Sequence, residues 1–175
     1  MKIIDTQFQE AKILIPDVYE DHRGYFKEIY NLKRNIDSKL KYNNWVQDSI
    51  SFTAYKNTIR GLHWQSNLIK LVTVLSGKVY DVIVDIRKES PEYLSWQGFY
   101  LSSDNHKQLL IPAGFAHGFL TLTDNVIFHY KMSEFHNANT EKVIRYDCED
   151  MGINWPIINY NIIISDKDDK ADRFL

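Results

Sequence analysis

Four segments of the 175-residue chain hold side chains that can move protons or grip an anion. Arg60-Gly61-Leu62-His63-Trp64-Gln65 sets a guanidinium, an imidazole and a carboxamide around one glycine. There Arg60 and Gln65 can face a ligand while His63 offers a group that titrates near neutral pH. An ordinary histidine at a strand end accounts for the hexamer equally well. In Ile111-Pro112-Ala113-Gly114-Phe115-Ala116-His117-Gly118-Phe119, Pro112 and Gly114 shape a tight turn and His117 opens the next strand. In Phe128-His129-Tyr130-Lys131, an extended chain puts Phe128 and Tyr130 on one face and His129 and Lys131 on the other. A Tyr130 that faces inward needs a partner or a ligand for its hydroxyl, and a satisfied core tyrosine is the plainer reading. Asp21-His22-Arg23-Gly24-Tyr25-Phe26 reads as a turn entering a strand, with Arg23 either an anion ligand or a solvated turn residue.

Several chemistries lack their residues. Neither glycine-rich phosphate cradle occurs, so a phosphate would have to be held by Arg and Lys side chains. His63 is followed by Trp64 and Gln65, and no acidic residue stands between His63 and Lys78. Two distant histidines without a third ligand make a poor metal site, and metal-free chemistry is expected. His22, His106, His129 and His136 are expected on the surface or in packing. The single cysteine, Cys148, leaves no internal disulfide and fits a reducing cytosol, so a cytoplasmic location is expected. With 21 Lys plus Arg against 23 Asp plus Glu, the net charge of −2 offers no drive toward nucleic acid or an anionic membrane. Residues 1–9 lack the apolar run of a signal peptide. The longest uncharged stretch, 108–123, is broken by Pro112 and is shorter than the roughly 20 apolar residues of a spanning helix.

The elements that must position these groups are mostly strands. Residues 70–75 and 78–86 are rich in Val, Ile and Tyr, and Ser76-Gly77 between them predicts a hairpin. In the second run Val79, Asp81, Ile83 and Asp85 alternate with Tyr80, Val82 and Val84, which predicts one more apolar face. Further short strands are expected at 97–101, 108–111, 118–122, 126–131 and 142–146, separated by turn-rich pieces. Many short strands at this spacing point to an antiparallel sandwich or barrel. One early helix is expected, capped by Asn31 and carrying Leu32, Ile36 and Leu40, and the charged tail 165–173 is either a short helix or an arm. With 44% hydrophobic and 25% charged residues and no linker, one domain over 1–175 is expected.

The segments occur together in a known order. DHRGYFKEIYN (21–31), QDSIS (47–51), RGLHWQ (60–65), KLV (70–72), DVIVDIRKESP (81–91), QLLIPAGFAHGF (108–119), HYK (129–131), INWP (153–156) and SDKD (165–168) resemble the nucleotide-diphospho-4-keto-sugar 3,5-epimerases, the family typified by dTDP-4-dehydrorhamnose 3,5-epimerase. The resemblance implies an all-β cupin, a double-stranded β-helix or jelly-roll barrel with one or two short helices. It also implies a homodimer with shared strands and no cofactor. The implied substrate is a nucleotide-diphospho-sugar with a ketone at C4, which acidifies the C3 and C5 protons. By that likeness His63 is the base, oriented by Asp168, and Tyr130 is the acid on the opposite sugar face. Lys70 is the cation beside the enolate oxygen, and His117 supports the site. Arg60 matches a pyrophosphate ligand. Glu28 and Gln47 match residues near the base, while Arg23 and Phe26 match residues that reach the nucleotide from the neighbouring subunit.

The sequence also departs from the family. Only residues 66–69 separate Gln65 from Lys70, a shorter loop than in many relatives. Phe135-His136 stands where relatives often have two tyrosines against thymine, and Asp48-Ser49 alters the stretch after Gln47. A dTDP-linked 4-keto-6-deoxyglucose is the first expectation. A GDP-4-keto-heptose of capsule synthesis, or inversion at one carbon alone, is the alternative. A non-catalytic sugar-nucleotide-binding cupin and a metal-dependent cupin oxygenase or isomerase are the readings of other classes.

Overall fold

Runs of alternating Val, Ile and Leu close into two antiparallel sheets packed face to face. The computed structural model describes residues 1–37, 44–157 and 161–172. The large sheet has the order β1 (Lys2–Asp5), β2 (Lys12–Ile15), β10 (Gln108–Ile111), β7 (Lys70–Ser76), β12 (Val126–Met132) and β5 (Gln47–Thr53). The facing sheet has the order β13 (Lys142–Val143), β6 (Ile59–Trp64), β11 (Phe115–Thr121), β8 (Lys78–Asp85) and β9 (Trp96–Ser102). A separate hairpin joins β3 (Val18–Asp21) to β4 (Gly24–Lys27). The helices are short, α1 (Leu32–Asp37) and α2 (Asp166–Asp169). This is the jelly-roll expected from the sequence.

The core lies between the sheets. Val72, Val74, Leu109 and Phe128 from the large sheet meet Val79, Ile83, Leu101 and Phe119 from the facing sheet. Each such side chain, fully buried, contributes about 1.5–3 kcal/mol. Phe119 and Phe128 stack across the interface with centroids 4.4 Å apart and planes 6° from parallel.

The expected hairpin at Ser76-Gly77 is not formed. β7 pairs with β10 and β12, and β8 pairs with β11 and β9, so the chain leaves one sheet for the other at Gly77. The physical reason is pairing: β10 and β12 occupy both edges of β7, so β8 has no edge of that sheet to join and crosses to the facing one. Gly77 makes the corner at φ +81°, where a Cβ would meet Thr123 Oγ1 at 2.6 Å and Val126 Cγ2 at 2.9 Å. The two faces of 78–86, expected to differ in apolar character, are both buried. Val82 and Val84 are as buried as Val79 and Ile83, because Ile144, Cys148 and Met151 cover the back of the facing sheet.

Asn31 does cap α1, its Oδ1 accepting the Arg34 N–H at 3.3 Å. Of the predicted apolar stripe, Leu32 is exposed and Leu40 lies outside the described residues. In the tail, Ser165 caps α2 by accepting the Asp168 N–H at 3.2 Å.

Candidate active site

The two histidines singled out in the sequence are neighbours. His63 on β6 sits opposite His117 on β11, with a register shift between His117 and Phe119. The strands approach closely there because two glycines face each other. A Cβ on Gly61, whose φ is +119°, would lie 2.6 Å from Gly118 Cα and 2.7 Å from the His117 carbonyl oxygen. The Gly61 N–H is also used, donating to Asp168 Oδ2 at 3.1 Å.

Asp168 arrives on α2, laid against β6 by a bridge between Thr58 and Ile163. Its Oδ1 lies 2.7 Å from His63 Nε2. Burial pushes the Asp168 carboxyl up. The His63 hydrogen bond and charge, the Gly61 N–H and Ser165 outweigh this and hold it below the ordinary carboxylate range. An ionised carboxylate only accepts, so His63 Nε2 carries the proton and the ring's lone pair is on Nδ1. That is the tautomer a base needs.

His63, Lys70, His117, Tyr130, Arg60 and Gln47 line one cavity of about 310 Å³, with Ser49, Ser51 and Glu141. This volume is at the lower end of small-molecule sites, roughly 300–1,000 Å³. His63 and Arg60 come from the facing sheet, and Tyr130 and Lys70 from the large sheet, so base and phenol stand on opposite walls. The Tyr130 hydroxyl is 3.2 Å from Ser51 Oγ, and burial raises its pKa to about 12, which keeps its proton in place. Lys70 is buried, with Nζ donating to the His63 carbonyl at 3.4 Å. Its pKa falls to about 8 through burial, partly opposed by Glu141 and Asp81. His117 Nε2 lies 2.9 Å from Asp81 Oδ2, deep in the barrel. Burial disfavours charge on both, pushing Asp81 up and His117 down.

Arg60 is fixed at the cavity by Thr53 Oγ1 at 2.9 Å and the Phe52 carbonyl at 3.1 Å. Neither acceptor is charged, so its charge is available to an anion. Gln47 braces the mouth, with Nε2 to Ser49 Oγ at 3.0 Å and Oε1 accepting the His136 N–H at 2.9 Å. Three expected residues are not at this cavity within one protomer. Arg23 and Phe26 stand exposed on the β3–β4 hairpin, Arg23 paired with Asp21. Glu28 pairs with Arg34 at 3.0 Å in a separate crevice beside Met1 and Tyr30.

His136, expected on the surface or in packing, is exposed and also lines the cavity, its Nε2 3.2 Å from Glu141 Oε1. His129, expected on the surface or in packing, is buried on the face of β12 opposite Tyr130, with Nε2 3.0 Å from Asp48 Oδ1. Asp48 therefore points away from the site, and Ser49 and Ser51 take the inward positions. Two residues were not anticipated as site groups, Asp81 and Glu141. Asp81 had a signal, an acidic residue on the inward face of a Val/Ile-rich strand. Glu141 lies between β12 and β13 with no motif around it. Among the described residues, no group of three or more His, Cys, Asp or Glu side chains is arranged to hold a metal ion.

A jelly-roll barrel whose cavity carries an Asp-oriented imidazole, a phenol facing it and a buried ammonium defines a cupin built for acid–base chemistry. The comparisons narrow this further. Residues 5–175 match the family model of dTDP-4-dehydrorhamnose 3,5-epimerase, and the chain belongs to that family. It is 41% identical over 170 residues to the enzyme of that name from Methanothermobacter thermautotrophicus, covering 95% of this chain and 91% of the relative. It also resembles the Legionella pneumophila epimerase crystallised with dTDP-4-keto-L-rhamnose. The TM-score there is 0.92 at 41% identity, over 98% of this chain and 91% of that one. The Bacillus anthracis enzyme with TDP and pyrophosphate bound gives a TM-score of 0.90 at 44% identity, over 97% of each chain.

Proposed function

We propose that this protein inverts C3 and C5 of a dTDP-linked 4-keto-6-deoxy sugar by proton transfer. One observation carries the reading: His63, held by Asp168, and Tyr130 face each other across one cavity that also holds Lys70. The C4 ketone makes the neighbouring C–H bonds acidic. His63 Nδ1 removes a proton from one ring face, and the electron pair moves onto O4 as an enolate. Lys70 stabilises that oxygen, a role preorganised charges perform well in a water-poor site. Tyr130 returns a proton to the other face, which inverts the carbon. His117, braced by Asp81, completes the wall. Arg60 takes the diphosphate and Gln47 shapes the mouth. The dTDP assignment follows the nucleotides in the Legionella and Bacillus structures.

The same proposal includes a homodimer in which Arg23 and Phe26 complete the partner's site. The β3–β4 hairpin exposes Tyr19, Tyr25 and Phe26, and edge strand β5 exposes Ile50 and Phe52, surfaces that call for a cover. A cytoplasmic place for the enzyme agrees with its one cysteine, Cys148, which is buried. No helix among the described residues is long and apolar enough to cross a membrane.

The test runs the protein in deuterated water with dTDP- and GDP-linked 4-keto sugars. Deuterium is expected at C3 and C5 of the dTDP sugar. Absence of label at both carbons overturns the reading, and label only in the GDP sugar overturns the nucleotide assignment.

A further inference from the structure

An enzyme that inverts two carbons during one visit must use its base twice. After the first abstraction His63 holds a proton on Nδ1. Returning that proton to the same face would undo the step, so the base must discharge elsewhere. Asp168 offers no outlet: its side chain is 4% exposed, and its oxygens are engaged by His63 Nε2 and the Gly61 N–H. On the Nδ1 side stands Glu141, whose Oε1 is 3.8 Å from that nitrogen. This is longer than a hydrogen bond, as such contacts often are before substrate binds. The same Oε1 lies 3.2 Å from His136 Nε2, and the His136 side chain is 44% exposed. Lys167 holds the other oxygen, Oε2, so Oε1 is left facing both imidazoles. Gln47 fixes the His136 backbone.

We propose that Glu141 and His136 form a proton exit from His63, which recharges the base between the first and second inversion. The inference rests on the epimerase reading above. The His63 Nδ1–H bond breaks as Glu141 Oε1–H forms, leaving neutral His63 and a neutral carboxylic acid. His136, whose resting proton sits on Nε2 toward the carboxylate, first exchanges to the Nδ1–H tautomer through bulk water; the Glu141 O–H then breaks as His136 Nε2–H forms, restoring the carboxylate and making an imidazolium. His136 Nδ1 releases its proton to bulk water or buffer. No electrons change hands; for each inversion one proton leaves through His136 and one enters from water to restore the Tyr130 hydroxyl, so the cycle balances. Lys167, the charge of His63 and the His136 bond outweigh burial and keep the Glu141 carboxyl low. It is therefore a transient carrier that passes its proton on.

The experiment follows deuterium at C3 and C5, and the ratio of singly to doubly inverted dTDP sugar, for wild type, Glu141→Gln, Glu141→Asp and His136→Phe. Glu141→Gln should still perform the first inversion but slow the second, raising the singly inverted fraction about tenfold or more. Added imidazole buffer should lower that fraction again, and Glu141→Asp should lower it without buffer. His136→Phe should show a smaller, buffer-sensitive rise. A wild-type ratio in Glu141→Gln overturns the relay, as does an equal fall in both steps that buffer leaves unchanged. A wild type that labels one carbon only also overturns it. A wild type that labels neither carbon overturns the reaction itself, a separate result.

Discussion

Burying Lys70 opposes folding, and in the proposed reaction it places a cation beside the enolate oxygen. A pKa fall from 10.5 to about 8 corresponds to about 3 kcal/mol of disfavoured charge at pH 7. The folded protein releases this proton before the unfolded chain does. Stability from this group therefore rises as pH climbs from about 8 to 10.5. Lys70→Met should gain up to about 3 kcal/mol in urea unfolding at pH 7, lose that advantage by pH 10.5, and turn over no substrate. In the wild type, kcat/KM should fall as pH rises through about 8, where Lys70 loses its charge. Two further substitutions separate the base from the acid. Asp168→Asn leaves His63 without its orienting carboxylate and should lower kcat about 10²–10⁴-fold. Tyr130→Phe should keep deuterium exchange at the carbon His63 deprotonates but lose inversion, and unchanged turnover would remove Tyr130 as the acid. At this scale the sequence was informative where chemistry has a recognisable neighbourhood: His63, Lys70, His117, Tyr130 and Asp168 fall where the motifs put them. Glu141 does not stand out, because its meaning arises only when the loop after β12 folds over His63.

Elements decide how those groups meet. β6 and β11 can approach only because Gly61 and Gly118 lack side chains. Gly61→Ala should cost about 1–3 kcal/mol by overpacking and lower activity as well, since the same backbone positions His63 and donates to Asp168. Thermal unfolding and turnover on one sample would check both. Ser165→Ala removes the cap that steadies α2 and should cost about 1 kcal/mol or less, with a smaller loss of kcat than Asp168→Asn. Strands buried in the core, such as β7, β8 and β12, were legible from Val/Ile periodicity. β1 through β5 were mostly not. β3 and β4 are exposed, and β5 alternates Gln47, Ser49 and Ser51, which face the cavity, with Asp48, Ile50 and Phe52, which are exposed, the reverse of the usual pattern. The Ser76-Gly77 turn was misread because local turn chemistry is the same for a hairpin and for a corner between sheets. Only the pairing demands of β10 and β12 distinguish them.

At the scale of the whole molecule, the proposed homodimer can be tested through the β3–β4 hairpin. If it completes the partner's cavity, a poorly binding Arg23→Glu variant mixed with an inactive His63→Asn variant should regain activity. The mixed dimer would hold one intact His63 cavity and one intact hairpin supplied across the interface. No gain on mixing, with subunit exchange verified, would place Arg23 outside the site. The two-sheet architecture has its own consequence, carried by the stacked rings of Phe119 and Phe128. One ring belongs to each sheet, and Phe119 also borders the cavity. The pair thus acts as a spacer that sets the calibre of the barrel, and with it the gap between base and acid. Exchanging these two apolar rings should change the width of the cavity while every polar group stays in place, and turnover of 4-keto sugars of different size would measure the effect.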